Sequence, residues 1–216
     1  MKRTLRLFLL PILLGFLFVA QSQAQYDTGA KKILDTARKK YEAMKGFETD
    51  FTYVMRNAAA GVEETLKGHI QVMGDLFVLQ TNNQIIYNNR EKIWTYLSDV
   101  HEVTITDFAE DNTEVSPSSL LRKYEKGFKY LLSDPINGAQ VVDLTPEDKN
   151  ETYFRIRIFF DPQTHLIQKW IMSEKDGTQH TYELQQFAER KDFQKKMFIF
   201  PMEKYPKVEV IDLTEG

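Results

Sequence analysis

The residue types that most often carry catalysis are sparse and scattered in this sequence. Four histidines stand alone, with no second ligand at a metal-binding spacing such as H-E-x-x-H: His69, His101, His165 and His180. No G-x-S-x-G motif or glycine-rich phosphate loop is present. Three adjacent carboxylate pairs fall in predicted loops, where solvated charge is ordinary: Glu63-Glu64, Glu110-Asp111 and Glu147-Asp148. We therefore expect no enzyme activity, metal or cofactor, and we expect His69 and His180 on the protein surface.

Composition excludes further classes of protein. The absence of cysteine removes disulfides, thiol catalysis and cysteine-ligated metals. The chain has 28 Lys and Arg against 31 Asp and Glu, and residues 1–24 contain three basic and no acidic residues, so residues 25–216 carry a net charge of −6. This charge argues against nucleic acid and against simple adhesion to anionic lipid surfaces. Arg155 and Arg157 lie beside aromatic residues, but no basic stripe surrounds them.

The amino terminus has the pattern of a secretory signal peptide. Three basic residues precede an apolar run of about 14 residues, from Leu7 to Ala20, which is shorter than the ~20 that a spanning helix needs. Ser22 and Ala24 are small residues at the −3 and −1 positions of a cleavage before Gln25. We expect residues 1–24 to be removed and residues 25–216 to form one exported domain. A retained membrane anchor is the alternative.

Hydrophobic periodicity predicts an α+β protein with far more strand than helix. A first helix is expected over residues 30–45, and apolar residues then alternate with polar ones from Phe47 onward, through short runs separated by Gly and Asn. These runs are too close together for crossover helices, so neighbouring strands should pair antiparallel. Ser116-Pro117 should begin a second helix that continues to Leu132. Strands resume at Val141, which gives about 10 or 11 in total.

Several predicted strands carry large apolar residues on both faces, notably residues 76–79, 93–97 and 154–160. A sheet with one face in water would leave many of these apolar side chains exposed, so both faces must be covered. A curved sheet with helices on its concave face would meet that need. An ordinary packed core and a lid over an empty cavity share this pattern, and the pattern does not separate them.

The order of these motifs resembles the LolA family of periplasmic outer-membrane lipoprotein carriers. The resemblance covers nearly all of residues 25–216 and rests on five stretches: Phe47-Glu48-Thr49-Asp50-Phe51-Thr52, Leu66-Lys67-Gly68-His69-Ile70-Gln71-Val72, Lys92-Ile93-Trp94-Thr95-Tyr96, Ser116-Pro117 and Phe198-Ile199-Phe200-Pro201. It implies a half-barrel of about eleven strands closed by helices over an apolar cavity. The cavity would accept the acyl chains of lipoproteins in the periplasm of a Gram-negative bacterium, between the inner and the outer membrane.

On this resemblance we expect a dry cavity lined by the concave face and the two helices. Its wall would be drawn from Phe51, Tyr53, Leu66, Ile70, Phe77, Leu79, Trp94, Tyr96, Leu120, Leu121, Phe128 and Leu131. The last four would lie on a movable helical lid held only by apolar contact. The expected partners are acylated lipoproteins, an inner-membrane transporter that releases them and an outer-membrane acceptor, and the carrier should be a monomer. A lipid-binding or lipid-sensing module of the same fold is the alternative.

One position departs from the family pattern. Family members often have an arginine-proline pair just before the third strand, where the arginine resembles a latch for the lid. The corresponding residues here are Met73-Gly74-Asp75. The departure implies either a different control of the lid or a different lipid ligand.

Overall fold

A computed structural model of the protein describes residues 26–109 and 117–214. The expected signal peptide, the helix-capping Ser116 and the Glu110-Asp111 pair lie outside the described residues. No helix in these two ranges is long and apolar enough to cross a membrane.

The first helix is confirmed, although it begins two residues earlier than expected. Helix α1 spans Thr28–Ala43, and Asp27 caps it by accepting a hydrogen bond of 2.9 Å from the backbone N–H of Ala30. One face of α1 is buried, through Ala30, Leu34, Ala37 and Tyr41. The Tyr41 hydroxyl accepts a hydrogen bond from the Ile167 backbone N–H, which ties the end of α1 to the sheet.

The expected curved sheet is also confirmed, as one open sheet of twelve strands. The strands are β1 (Phe47–Asn57), β2 (Val62–Met73), β3 (Leu76–Thr81), β4 (Gln84–Asn88), β5 (Lys92–Leu97), β6 (Glu102–Asp107), β7 (Phe128–Ile136), β8 (Ala139–Pro146), β9 (Tyr153–Phe160), β10 (Ile167–Glu174), β11 (Thr178–Glu189) and β12 (Glu209–Asp212). Their order across the sheet is β12-β6-β5-β4-β3-β2-β1-β11-β10-β9-β8-β7. All pairs are antiparallel except β12 with β6, which is parallel.

The prediction of a long second helix is wrong. Helix α2 spans only Pro117–Lys123, and the chain turns at Gly127, where φ is 84° and continuation of a right-handed helix is impossible. From Phe128 the chain forms β7, which pairs Tyr130 with Leu144 and Leu132 with Val142 of β8. Over so short a run, the apolar residues of 128–132 fit the spacing of a helix and that of a strand equally well. Backbone pairing with β8 makes this segment a strand.

The sheet has an inner face covered by both helices and an outer face that is largely polar. The main core lies on the inner face, where α1 and α2 meet β1, β2, β3 and β7 to β11. Over β3 to β6 the outer face is apolar as well, and residues 191–208, which we call the C-terminal strap, cover it. Both faces of residues 76–79 are therefore covered as expected, with Phe77 and Leu79 in the main core and Val78 beneath the strap. In residues 93–97 the strap covers Trp94 and Tyr96. In residues 154–160 the expectation of two covered faces is wrong, because Phe154 is 47% exposed.

Candidate lipid-binding site

The inner face presents an apolar wall to the helices. Phe51, Ile70, Phe77 and Leu79 are buried there with the apolar faces of α1 and α2. Gly68 makes room for the Phe51 ring, because a Cβ at this position would lie 2.5 Å from Phe51 Cζ. The structure therefore brings together four of the wall residues that the sequence analysis expected, on strands β1, β2 and β3.

A small cavity of about 50 Å³ lies beside this wall, between α2 and the half of the sheet formed by β7 to β11. Its lining is apolar apart from two tyrosines: Leu120, Phe128, Leu144, Tyr153, Ile156, Trp170, Met172 and Tyr182. Even benzene occupies an engineered cavity of about 150 Å³, so an acyl chain needs much more space than is present. The cavity as it stands therefore has no room for an acyl chain.

Residues 117–124, which we call the lid, close the inner face. Leu120, Leu121 and Tyr124 are all buried in the main core. Tyr124 also makes a polar contact, since its hydroxyl donates to Asp35 Oδ1 of α1 at 2.5 Å. Burial, together with this hydrogen bond, raises the pKa of Tyr124 to about 12. The expectation that the lid is held only by apolar contact is therefore wrong.

A second polar contact holds the lid to the sheet. Arg122 Nη2 of α2 lies 2.9 Å from Asp75 Oδ1, on the turn between β2 and β3. The other oxygen of Asp75 accepts from Arg90 Nη1 at 2.5 Å. The turn that lacks the family's arginine-proline pair thus carries a carboxylate at Asp75, and this carboxylate connects the turn to Arg122 of the lid.

Two expected wall residues, Trp94 and Tyr96, do not join the inner wall. They lie on the outer face of β5 and are buried beneath the strap, where the Tyr96 ring is 5.6 Å from that of Phe200. Successive residues of a strand face opposite sides of the sheet. The pairing of β3 with β4 and of β4 with β5 therefore places Phe77 on one face and Trp94 and Tyr96 on the other. The expectation that they line the same cavity as Phe77 is corrected by this pairing.

Leu131 and Leu66 also differ from expectation. Leu131 is on β7 rather than on a helix, faces the outer side opposite Asp143, and is 46% exposed. Leu66 is on the inner face but 37% exposed, opposite Tyr53 near the end of the wall. Phe128 is likewise on β7 rather than on the lid, and it does line the cavity. A role in lipid binding remains a prediction for each of the twelve residues.

His180 is a residue that the sequence placed on the surface and the structure places on the inner face. Its Nδ1 lies 2.7 Å from the Tyr53 hydroxyl, its side chain is only 16% exposed, and its Cα is paired with that of the cavity residue Met172. Residues 178–184 alternate, but no local signal distinguishes the buried face from the exposed one. His69, in contrast, is on the outer face as expected, 2.7 Å from Asp50 Oδ1.

The carboxylate pair Glu63-Glu64 lies at the exposed end of β2 and not in a loop, so the prediction of a loop there is wrong. Glu63 pairs with Arg56 at the exposed end of β1 and β2, and Glu147 accepts a hydrogen bond of 2.6 Å from the Tyr26 hydroxyl. Within residues 26–109 and 117–214, no group of three His, Asp or Glu side chains could hold a metal ion.

A curved open sheet with helices over an apolar inner face defines the class of LolA-like binding and carrier proteins. The chain belongs to the LolA family, since the model for "Outer membrane lipoprotein carrier protein LolA" matches residues 42–201. Proteins of this family are periplasmic, and they bind or carry ligands rather than catalyse reactions. A comparison with curated protein sequences finds no match.

The chain is similar to several solved structures at low sequence identity. An uncharacterized conserved protein from Thermus thermophilus has a TM-score of 0.56 and 11% identity, with 85% of this chain and 99% of that chain covered. A LolA superfamily protein from Nitrosomonas europaea has a TM-score of 0.44 and 14% identity, with 79% of this chain and 97% of that chain covered. The Mycobacterium tuberculosis lipoprotein LppX has a TM-score of 0.49 and 9% identity, with 78% of this chain and 100% of that chain covered.

Proposed function

We propose that this protein is a periplasmic carrier that holds the acyl chains of lipoproteins between its lid and the inner face of its sheet. It would move them from the inner to the outer membrane. The observation that carries the proposal is the small apolar cavity between α2 and β7 to β11, beneath a lid of only eight residues. Membership of the LolA family supports the same ligand class.

The physical requirement for such a carrier is shielding of the acyl chains from water. Each exposed methylene costs about 0.8 kcal/mol, so a free chain of ordinary length cannot cross an aqueous compartment unaided. In the structure the inner face is covered by the protein's own helices, which keeps the wall out of water before cargo arrives. Cargo replaces the apolar contacts of the lid with its own, so the opening of the lid is offset by burial of the chains.

The lid is suited to such an exchange. Its helix has only seven residues, and the polar contacts of the lid include those to Asp35 and Asp75. Short elements with few buried apolar contacts can open at a lower free-energy cost than global unfolding requires. The donor would be an inner-membrane transporter that releases lipoproteins, the acceptor an outer-membrane protein, and the carrier itself a monomer.

Native mass spectrometry of protein purified from the cell envelope tests the ligand class. We expect a bound acylated species, or capture of an added diacylated lipopeptide. A ligand-free protein that also fails to capture lipopeptide would overturn the proposal. Co-purification of a phospholipid, with no lipopeptide capture, would assign the site to a lipid-binding module of the same fold.

A cavity-blocking variant tests the location of the site. Ile156 lines the cavity, so Ile156→Phe should occupy its free volume and reduce lipopeptide capture. Ile105 is buried on the outer face beneath the strap, and Ile105→Phe makes the same chemical change there. Overpacking costs typically about 1–3 kcal/mol, so both variants should fold. Equal loss of capture in the two variants would contradict the assignment.

A further inference from the structure

The C-terminal strap has two different sides. Its inward side carries aromatic residues, with Phe193 and Phe198 against Val78 of β3 and Phe200 against Trp94 of β5. Two short 3₁₀ turns, Lys195–Phe198 and Met202–Lys204, interrupt the strap. The strap is therefore fixed to the sheet by its buried rings, and the residues between them point away from the protein.

The outward side is unusually apolar. Met197 is 38% exposed, Ile199 is 44% exposed and Met202 is 43% exposed, all within six positions. Met197 and Ile199 lie along an open groove of about 540 Å³, which is lined by Tyr87, Lys196, Met197, Ile199, Phe200, Pro201, Glu203 and Lys204. The burial of Phe198 and Phe200 forces their neighbours outward, so the exposure follows directly from how the strap is attached.

Lysines surround these apolar side chains. Residues 191–208 contain five lysines against only Asp192 and Glu203, a local net charge of +3 in a chain whose residues 25–216 carry −6. Asp192 is already paired with Arg190 at 2.7 Å. None of Lys195, Lys196, Lys204 and Lys207 forms an ion pair with a carboxylate in the part of the chain that the structure describes. Their charge is therefore available to a partner without the loss of an internal contact.

We propose that the outer side of the strap binds the surface of an anionic lipid bilayer. Unpaired lysines next to exposed methionine and isoleucine side chains combine two attractions. The ammonium groups attract anionic headgroups, and the apolar side chains enter the boundary between headgroups and acyl chains. The negative charge of the remaining surface is repelled by the same membrane, so it favours the orientation with the strap against the lipid.

The location of the strap determines the consequence for the protein. The strap covers the outer face of β3 to β6, whereas the lid covers the inner face, so contact with lipid through the strap leaves the lid free. The net charge of −6 argues against adhesion of the protein as a whole to anionic surfaces, whereas the strap carries a local charge of the opposite sign. The binding is independent of the proposed carrier function, since no cavity-lining residue takes part.

Vesicle co-flotation of the purified protein tests this surface. We expect binding to vesicles of phosphatidylglycerol with phosphatidylethanolamine, little binding to phosphatidylcholine vesicles, and weaker binding at high salt. The triple variant Lys195→Glu, Lys196→Glu, Lys204→Glu should lower the affinity at least tenfold. Met197→Ser with Ile199→Ser should also lower it, and the residual binding should become fully salt-sensitive.

A charge-matched control separates the patch from net charge. Lys129, Lys149 and Lys175 line a groove at the other end of the sheet, and their replacement by Glu changes the total charge equally. This control should retain vesicle binding, and circular dichroism should show that both triple variants fold. Absence of binding by the unmodified protein, or equal losses in the two triple variants, would overturn the proposal. Retention by an acidic peptide but not by vesicles would overturn it in favour of a protein partner.

Discussion

Arg122 of the lid and Asp75 of the β2–β3 turn form an ion pair of 2.9 Å that connects the lid to the sheet. Asp75 can reach the lid because it follows Gly74, which adopts a φ of 63° in the tight turn. The same carboxylate also holds Arg90, which belongs to the turn after β4. One aspartate therefore links a lid arginine and a sheet arginine.

Loss of the Asp75 carboxylate should weaken closure of the lid. Both partners are partly exposed, and such ion pairs contribute about 0.2–1 kcal/mol. We therefore expect Asp75→Asn and Arg122→Gln each to accelerate exchange of a fluorescent lipopeptide by up to about fivefold, with little additional effect in the double variant. Stopped-flow displacement measures this rate.

Arg90→Gln is the matched control for the lid contact. It removes the other arginine from the same carboxylate, but both of these residues belong to the sheet. Its exchange rate should remain close to that of the unmodified protein. Acceleration as large as that of Arg122→Gln would show that the turn, rather than the lid contact, controls exchange.

Phe77 and Phe198 allow the two faces of β3 to be compared. Phe77 is buried on the inner face with the helices, and Phe198 is buried on the outer face with Val78. Replacement of either by Leu should cost about 1–2 kcal/mol in the free energy of unfolding, measured with urea. Lipopeptide affinity should change only in Phe77→Leu, because only the inner face is proposed to contact cargo. An affinity change in Phe198→Leu alone would contradict this assignment.

Gly68→Ala should be destabilising although Gly68 has ordinary strand geometry. The added Cβ would lie 2.5 Å from both Phe51 Cζ and the Gln80 carbonyl oxygen. We expect a loss of about 1–3 kcal/mol, as is typical of overpacking. Phe51→Leu should recover only part of it in the double variant, since the clash with the backbone of β3 remains. Full recovery, or a Gly68→Ala protein of unchanged stability, would disprove this account of the wall.

Asp143 and Arg157 give the stability of the outer face a defined pH dependence. Burial would raise the pKa of Asp143, but hydrogen bonds of 2.8 and 2.7 Å from Arg157, and another from Ser133, outweigh it and lower that pKa. The pair therefore stabilises the fold above the ordinary carboxyl pKa of about 3.9, and this contribution is lost as the pH falls through the lowered value.

The variant Asp143→Asn tests this relationship. At pH 7 we expect it to lose about 1–3 kcal/mol, and the difference from the unmodified protein should shrink steadily below about pH 4. Thermal melts across this pH range measure it. Glu183→Gln removes a more exposed pair with Lys169 and should cost less than about 1 kcal/mol at any pH. A constant difference down to pH 2 would contradict the lowered pKa.

The sequence was sufficient for the features that depend on near neighbours. Helix α1 follows from apolar residues at helical spacing after Asp27, and the strands from β1 onward follow from alternation between Gly and Asn turns. The same local reasoning excluded cysteine chemistry and found no paired metal or nucleophile motif. Together with the order of these elements, it indicated a curved sheet with a covered inner face.

The tertiary structure decided which face each strand residue occupies and what covers it. Residues 93–97 are apolar on both faces, so the sequence does not tell which face Trp94 and Tyr96 occupy. They are directed outward because the strap, about one hundred positions later, supplies Phe200 and Tyr205 there. Residues 128–132 became a strand because β8 offered backbone partners. Asp75 and Arg122 are 47 positions apart and meet only when α2 lies over the β2–β3 turn. Periodicity is a local property, whereas the partner of each face is set by long-range packing, and so the sequence alone could not assign it.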